Sequence, residues 1–401
     1  MTNPASVSAT RREETIVRLG GHGDNFHPTW AADDNQYIAV CDGYGFVDPA
    51  VAFYNSRMTR VAGDPVSGVT YGDVPGYPEI TGFGRYYNFG TIVIDGTFYQ
   101  FLSTPENTFG DSMETGTTFV GAKLVYSPDL GKTWYNQDGT TPVVFEDFAD
   151  RSTDNMAFFQ EDGGTFALPS FLQMGKDYSA NTDGYVYVYS PNGPADGTMN
   201  QIVMFRVPKD KILDRGAYEY FVSRDADGTA TWSTDITKRG VVHENPKGWV
   251  NTWLHPWAWL PSLAYNEGLG LYMMTNWGMG VAEDGKWFGK RSYLGIWVAE
   301  QPWGPWTQVH EDTHWAPGGD EKAECYHPVI PPKWISADGT SFWLVWTDFQ
   351  VVGTDEEKAA RSEAHKAATE ANDVPALKAL ARAGQPHYSF SAQRVDLTVT
   401  P

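Results

Sequence analysis

An all-β fold follows from three features of the sequence. Glycine (41 residues), proline (25) and aromatics punctuate and fill the chain, strand-like runs recur between turn clusters, and long amphipathic helical patterns are absent before residue 354. The turns add a specific signal: Ser127-Pro128-Asp129-Leu130-Gly131-Lys132-Thr133-Trp134 fits the Asp-box S-x-D-x-G-x-T-W. In such a hairpin turn the Asp caps amides of its own loop, the Gly takes a positive φ, and the Trp packs between sheets. Its role is structural.

Grouping the strands by their turns gives five units, the layout of a radial repeat and hence of a five-bladed β-propeller. The first unit runs from about Asp24 to about Pro78 and contains the strand at 36–42. The second opens at 87–94, turns at Asp95-Gly96 and continues to the Asp-box. The third opens at 154–159 and includes 184–189 and 202–207. The fourth begins near His255 and includes 270–275 and 294–298, closing at Trp303-Gly304-Pro305-Trp306. The fifth begins at Tyr326-His327-Pro328 and includes 341–346.

Residues 354–384 depart from this pattern. Thr354 with Glu357 forms a capping box, Asp373-Val374-Pro375 starts a second helix, and Gly384 is placed as its C′ residue. The first helix is apolar only through Ala, so a small surface helical insertion is expected. The last strand, near 388–395, would pair with 15–19 and shut the ring, removing an exposed edge. Residues 1–13 are expected as a disordered tail, and 14–401 as one domain.

Composition narrows the function. The net charge of −21 excludes the cationic face that nucleic acids and anionic membranes require. No run approaches 18 apolar residues, and no apolar leader core is present. A cytoplasmic location is expected if Met1 is the native start, and a secreted one if a leader has been removed. Cys41 and Cys325 are expected as two buried, inert thiols. Oligomeric state is not encoded legibly. Dinucleotide, Walker A, zincin and serine-elbow motifs are absent, and no cysteine pair has zinc spacing.

The run Asn181-Thr182-Asp183-Gly184-Tyr185-Val186-Tyr187-Val188-Tyr189-Ser190-Pro191-Asn192-Gly193 carries a resemblance. So do Phe205-Arg206-Val207-Pro208, Ala217-Tyr218-Glu219-Tyr220-Phe221, Leu263-Ala264-Tyr265-Asn266 and the Gly-x-Gly-Asp24 segment. Together they resemble a bacterial five-bladed β-propeller family, formerly of unknown function, that includes endo-D-arabinanases. The resemblance covers most of residues 20–350 and implies that Asp24 is a catalytic carboxylate. Family members often carry Glu where this chain reads Trp259-Leu260-Pro261-Ser262, a departure that bears on substrate and reaction type.

In a propeller the first strand of each blade lines a central channel. The five unit starts supply Asp24 and His27, Asn88, Asp154 and Asn155, His255, and Glu324 with His327. Proline after His27, His255 and His327 favours an extended backbone suited to aiming each imidazole. Glycoside hydrolysis needs one protonated and one ionised carboxyl across the scissile bond. Asp24 is therefore expected as base or nucleophile and Asp154 or Glu324 as acid, with Asp42 orienting or tuning one of them. His27, Asp42, Asn88, Asn155, His255 and His327 would bind substrate, joined by Trp253 and Trp257 as flat platforms for sugar C–H faces. Trp297, Trp303 and Trp306 are expected in the inter-blade core. No cofactor or metal is expected as an obligate part, although three histidines and acids around a channel would suit a divalent cation. The expected activity is hydrolysis of a furanoside-containing, arabinan-like poly- or oligosaccharide. The rivals are a polysaccharide lyase, with His or Tyr as base and Arg57, Arg85 or Arg291 clamping a uronate, and a non-catalytic carbohydrate-binding propeller.

Overall fold

The computed structural model describes residues 6–106, 118–152, 157–193, 198–245, 260–278 and 289–400. Antiparallel sheets follow one another in chain order as blades I to V. Blade I comprises Pro28–Trp30, Gln36–Gly43, Tyr54–Asp64 and Gly68–Asp73. Blade II comprises Tyr87–Ile94, Thr97–Pro105, Phe119–Ser127 and Tyr135–Asn136. Blade III runs through Ser170–Gln173, Tyr185–Pro191, Gln201–Pro208 and Glu219–Arg224, with Ala230–Ser233 added outside. Blade IV comprises Ser262–Asn266, Leu271–Gly278, Tyr293–Ala299 and Thr307–Asp312. Cys325–Val329, Ser341–Asp348, Ser391–Thr400 and, outermost, Ser6–Arg11 make blade V.

Blades are radial because their opening strands touch in succession, I to II to III to IV to V. Between III and IV this contact becomes a parallel pairing of Leu172 with Leu263 and Gln173 with Ala264. Apolar clusters fill the wedges. Tyr37, Met58, Val93, Phe98 and Trp134 join I to II, and Met273, Trp277, Leu294, Phe342 and Trp346 join IV to V. Ile38, Val61, Val329, Trp334 and Phe390 join V back to I. Each buried side chain of this size contributes about 1.5–3 kcal/mol by leaving water, so the wedges hold the ring together. Trp297 lies in the core as expected, and Trp303 and Trp306 pack against it half-buried. The Asp-box also forms. Asp129 accepts amides of Lys132 and Thr133, and Trp134 packs edge-on to Tyr77 at 5.2 Å.

Four expectations are corrected. Residues 6–11 are not a disordered tail; they pair antiparallel with residues 395–400, from Ser6–Thr400 to Arg11–Val395. The expected pairing of 15–19 is reduced to Val17–Ala392 and Arg18–Ser391, so closure is shared by two short segments. Ala157–Phe159 does not open the third unit. It pairs with the third strand of blade II, and blade III opens at Ser170. Gly384 is the last residue of its helix rather than a left-handed C′ position, and Gln385 caps it.

The helical insertion is as expected in place. α1 (Asp355–Glu370) starts at the Thr354–Glu357 capping box and buries only Ala368. α2 (Val374–Gly384) starts where Asp373 accepts the Ala376 amide, and buries Lys378 and Gly384. Among the described residues no helix is long and apolar enough to cross a membrane. Both cysteines are buried and unbridged.

Candidate active site

Glycine lets the chain entering blade I lie against that blade's second strand. A Cβ on Gly43 would collide with the His22 carbonyl, and Gly23 sits at φ 146° with the Cys41 carbonyl in the way of any side chain. Asp24 then forms an isolated antiparallel bridge with Cys41, exchanging backbone bonds of 2.9 and 3.0 Å. This places Asp24 next to Asp42, which follows Cys41 and has left-handed backbone at φ 43°.

Both carboxyls lie in a poorly hydrated setting. Asp24 is buried, accepts the phenol of Tyr326 at 2.7 Å and the Asn25 amide at 2.8 Å, and is also bonded by Tyr388. Asp42 is half-buried and accepts the Asn55 amide at 2.9 Å, while Tyr86 N–H fixes the Asn55 oxygen at 2.9 Å. Burial raises both acids above the usual carboxylate range, and the charge on Asp24 raises Asp42 further. Three donors favour the Asp24 anion against one for Asp42, with Arg85 a lesser offset at Asp42. The pair therefore titrates jointly, and Asp24 gives up its proton first.

Tyr326 comes from the opening strand of blade V and Tyr388 from the approach to its third strand. Tyr388 also reaches the Asp42 carbonyl at 3.1 Å. Burial and the nearby carboxylates push both phenols well above their ordinary range, so they act as donors at neutral pH. His22 packs between the Tyr44 and Tyr388 rings at 5.2 and 5.0 Å, and its Nδ1 accepts the Tyr44 amide at 3.3 Å. Burial, then the Lys378 and Arg382 charges, lower it to about 4, which leaves it neutral.

His27 and His327 meet as a buried pair with ring centroids 4.5 Å apart. Burial lowers both imidazoles, His327 to about 3, so each presents one N–H and one lone pair. His27 Nε2 and both His327 nitrogens lack a partner among the described residues. Although Pro328 follows it, His327 is left-handed at φ 52° rather than extended. That turn accompanies the register shift between Tyr326 and Val329.

Asn88 is buried near the site with both ends engaged: its oxygen accepts the Cys41 thiol at 3.0 Å and its amide donates to the Arg57 carbonyl at 2.6 Å. Glu324 is half-buried, one residue ahead of the strand that carries Tyr326. Its amide donates to Asp348 at 2.8 Å. Asp154, Asn155, Trp253, His255 and Trp257 lie outside the described residues. Among the described residues no group of three or more His, Cys, Asp or Glu could hold a metal ion. Tyr326, Tyr388 and His22 were not among the sequence candidates, and Arg85 was one only as a uronate clamp in the lyase reading. Tyr326 stood beside His327 in a segment already singled out, and a buried phenol next to an acid leaves no spacing signature.

No family model matches the chain, and no curated protein matches it in sequence. Similar solved structures exist. A Bacteroides ovatus protein assigned provisionally as a hydrolase has a TM-score of 0.50 and 14% identity, over 97% of this chain and 90% of that one. The catalytic domain of a Coprinopsis cinerea GH62 α-L-arabinofuranosidase has a TM-score of 0.47 and 10% identity, over 99% and 98%. An endo-arabinase from Bacteroides thetaiotaomicron has a TM-score of 0.40 and 12% identity, over 84% and 98%. The likeness to the B. ovatus protein shows a fold shared along nearly the whole chain.

Proposed function

We propose that this propeller is a glycoside hydrolase whose acid–base pair is Asp24 and Asp42. The observation that carries the reading is the Asp24–Cys41 bridge, which brings Asp24 close enough for its charge to act on Asp42, with unequal hydrogen bonding that separates their protonation. Asp24, ionised and steadied by Tyr326, Tyr388 and Asn25, acts at the anomeric carbon, either directly or through a water. Asp42, kept protonated by burial and by the Asp24 charge, donates to the departing glycosidic oxygen. This moves the acid role from Asp154 or Glu324 to Asp42. The B. ovatus protein's assignment as a hydrolase is consistent with the same chemistry on this fold. The sequence resemblance points to an arabinan-like furanoside polymer or oligosaccharide as substrate, with His27 and His327 offering neutral partners to sugar hydroxyls.

The lyase reading draws less support. Arg57 is paired with Asp73 and Glu79, Arg291 donates to the Ala323 carbonyl, and Arg85 faces Asp42 and the Tyr87 phenol. Phenols held so far up are poor bases. The deciding experiment is a panel of arabinans and related glycans scored for new reducing ends, on wild type, Asp24→Asn and Asp42→Asn. Turnover in wild type that both variants lose supports the reading. Retained turnover in either removes that acid from the mechanism, and ultraviolet-absorbing products decide for a lyase. Binding without any turnover decides for a carbohydrate-binding module.

A further inference from the structure

The helical insertion contributes little to the core, yet one side chain it buries, Lys378, reaches the segment that follows Asp42. α1 is exposed along most of its length and buries only Ala368. α2 buries Lys378 to 3% exposure, and its ammonium donates to the Val47 carbonyl at 3.1 Å and pairs with Asp48 at 2.8 Å. Residues 44–50 form the segment that leaves Asp42, without regular structure beyond Gly45. Reciprocal backbone bonds between His22 and Gly45, 2.9 and 3.1 Å, tie one end of it to the Asp24 segment. A cavity of about 60 Å³ adjoins it, lined in part by Tyr44, Phe46, Val47, Tyr54 and Arg57. Phe46 packs on Tyr71 and Phe390 at one end, and Lys378 is the anchor of Val47 and Asp48 on the insertion side. Four residues after α2, Tyr388 bonds the Asp24 carboxyl and the backbone carbonyl of Asp42, and its own carbonyl accepts the Gly23 amide at 3.3 Å.

We propose that the insertion is the wall that sets the geometry of the acid pair, with Lys378 as a positioning residue acting through the segment at 44–50. The inference rests on the Asp24–Asp42 reading. A long side chain with one buried ammonium fixes a carbonyl and a carboxylate at once, holding the far end of a segment whose near end His22, Tyr71 and Phe390 already hold. The rest of the insertion holds Lys378 in place and delivers Tyr388.

The test is Lys378→Met, which keeps the stem and removes the charge. Asp48 is 66% exposed and can take water in its place, so folding is expected to survive. On whichever glycan the panel identifies, kcat should fall on the order of tenfold to a hundredfold with KM within about twofold, because geometry is lost and contact is kept. Lys378→Arg should recover most of the rate, and Lys358→Met on exposed α1 should match wild type. Wild-type kcat in folded Lys378→Met overturns the inference. So does a rate loss that only tracks a lower thermal midpoint, or one that Lys378→Arg does not reverse. Asp24→Asn run alongside separates the two ideas: if it retains turnover the acid-pair reading falls, and if it is inactive while Lys378→Met is unimpaired only the positioning role falls.

Discussion

The phenol of Tyr326 donates to the carboxylate of Asp24 at 2.7 Å, across 302 positions of sequence. The bond joins the opening of blade I to the opening strand of blade V. It also favours the charged form of an acid that burial would otherwise neutralise. Tyr326→Phe removes one donor from the Asp24 anion and so raises its pKa further. In the proposed mechanism the ionised form is the working one, so the acid limb of the kcat/KM profile should move to higher pH. The rate at pH 6 should fall by roughly tenfold, in line with about 1.5–3 kcal/mol for a hydrogen bond to a charged group. An unmoved acid limb would detach Tyr326 from catalysis.

The paired acids predict a bell-shaped pH–rate curve. Asp24 is raised to about 6 and Asp42 to about 8, so the product of one anion and one acid is largest between them. In the free enzyme the two limbs belong to the pair. A single descending limb near pH 4 would contradict it.

Asp42→Asn should lower kcat by about 10²–10⁴ and at the same time stabilise the fold in alkali. The sign follows from linkage. A carboxyl whose folded pKa is raised binds more protons folded than unfolded between its two pKa values, so stability falls as pH rises through that window. The neutral amide escapes this loss. Thermal midpoints at pH 5 should be close, and at pH 9 the variant should melt roughly 2 °C or more above wild type. Equal midpoints at both values would mean that Asp42 is not destabilised by its setting.

Blade V depends on the N-terminal strand. Arg11 pairs with Asp312 at 2.6 Å and donates to Gln393 at 3.1 Å, bracing that strand against blade IV and its own neighbour. Removing residues 1–12 exposes the edge of Ser391–Thr400 and should lower the melting temperature and promote association. Size-exclusion chromatography and calorimetry check this. A monomeric, equally stable truncate would show that pairing 17–18 with 391–392 suffices.

Asp129→Ala in the Asp-box removes the acceptor for two amides and for Ser127, and should cost about 1–3 kcal/mol with kcat unchanged. Denaturant titration with kinetics on the same preparation reads both. A kcat loss beyond the folded fraction would give this turn a role it is not expected to have.

Blade count, the Asp-box and the helical insertion were legible because each rests on local chemistry: turn residues, capping residues, regular strand spacing. What escaped depends on contacts distant in sequence. Ala157–Phe159 has strand composition, and composition alone does not say which sheet it joins. Residues 6–11 were too polar to read as a strand, because one face of an outermost strand meets water. Proline led to an extended His327, and the bulge after Tyr326 turned it left-handed. Asp42 stood in the sequence as a tuning group, since nothing local reveals that Cys41 bridges Asp24. The tyrosines were silent for the same reason.

Ring closure by both ends of the chain sets an order of events. During synthesis Asp24 and Asp42 emerge early and can pair as soon as blade I forms, yet Tyr326 and Tyr388 arrive only with the last quarter of the polypeptide. Until then Asp24 lacks the two phenols that, in the proposed mechanism, settle which acid keeps its proton. Competence for chemistry should therefore appear abruptly, with the final strand, rather than grow blade by blade.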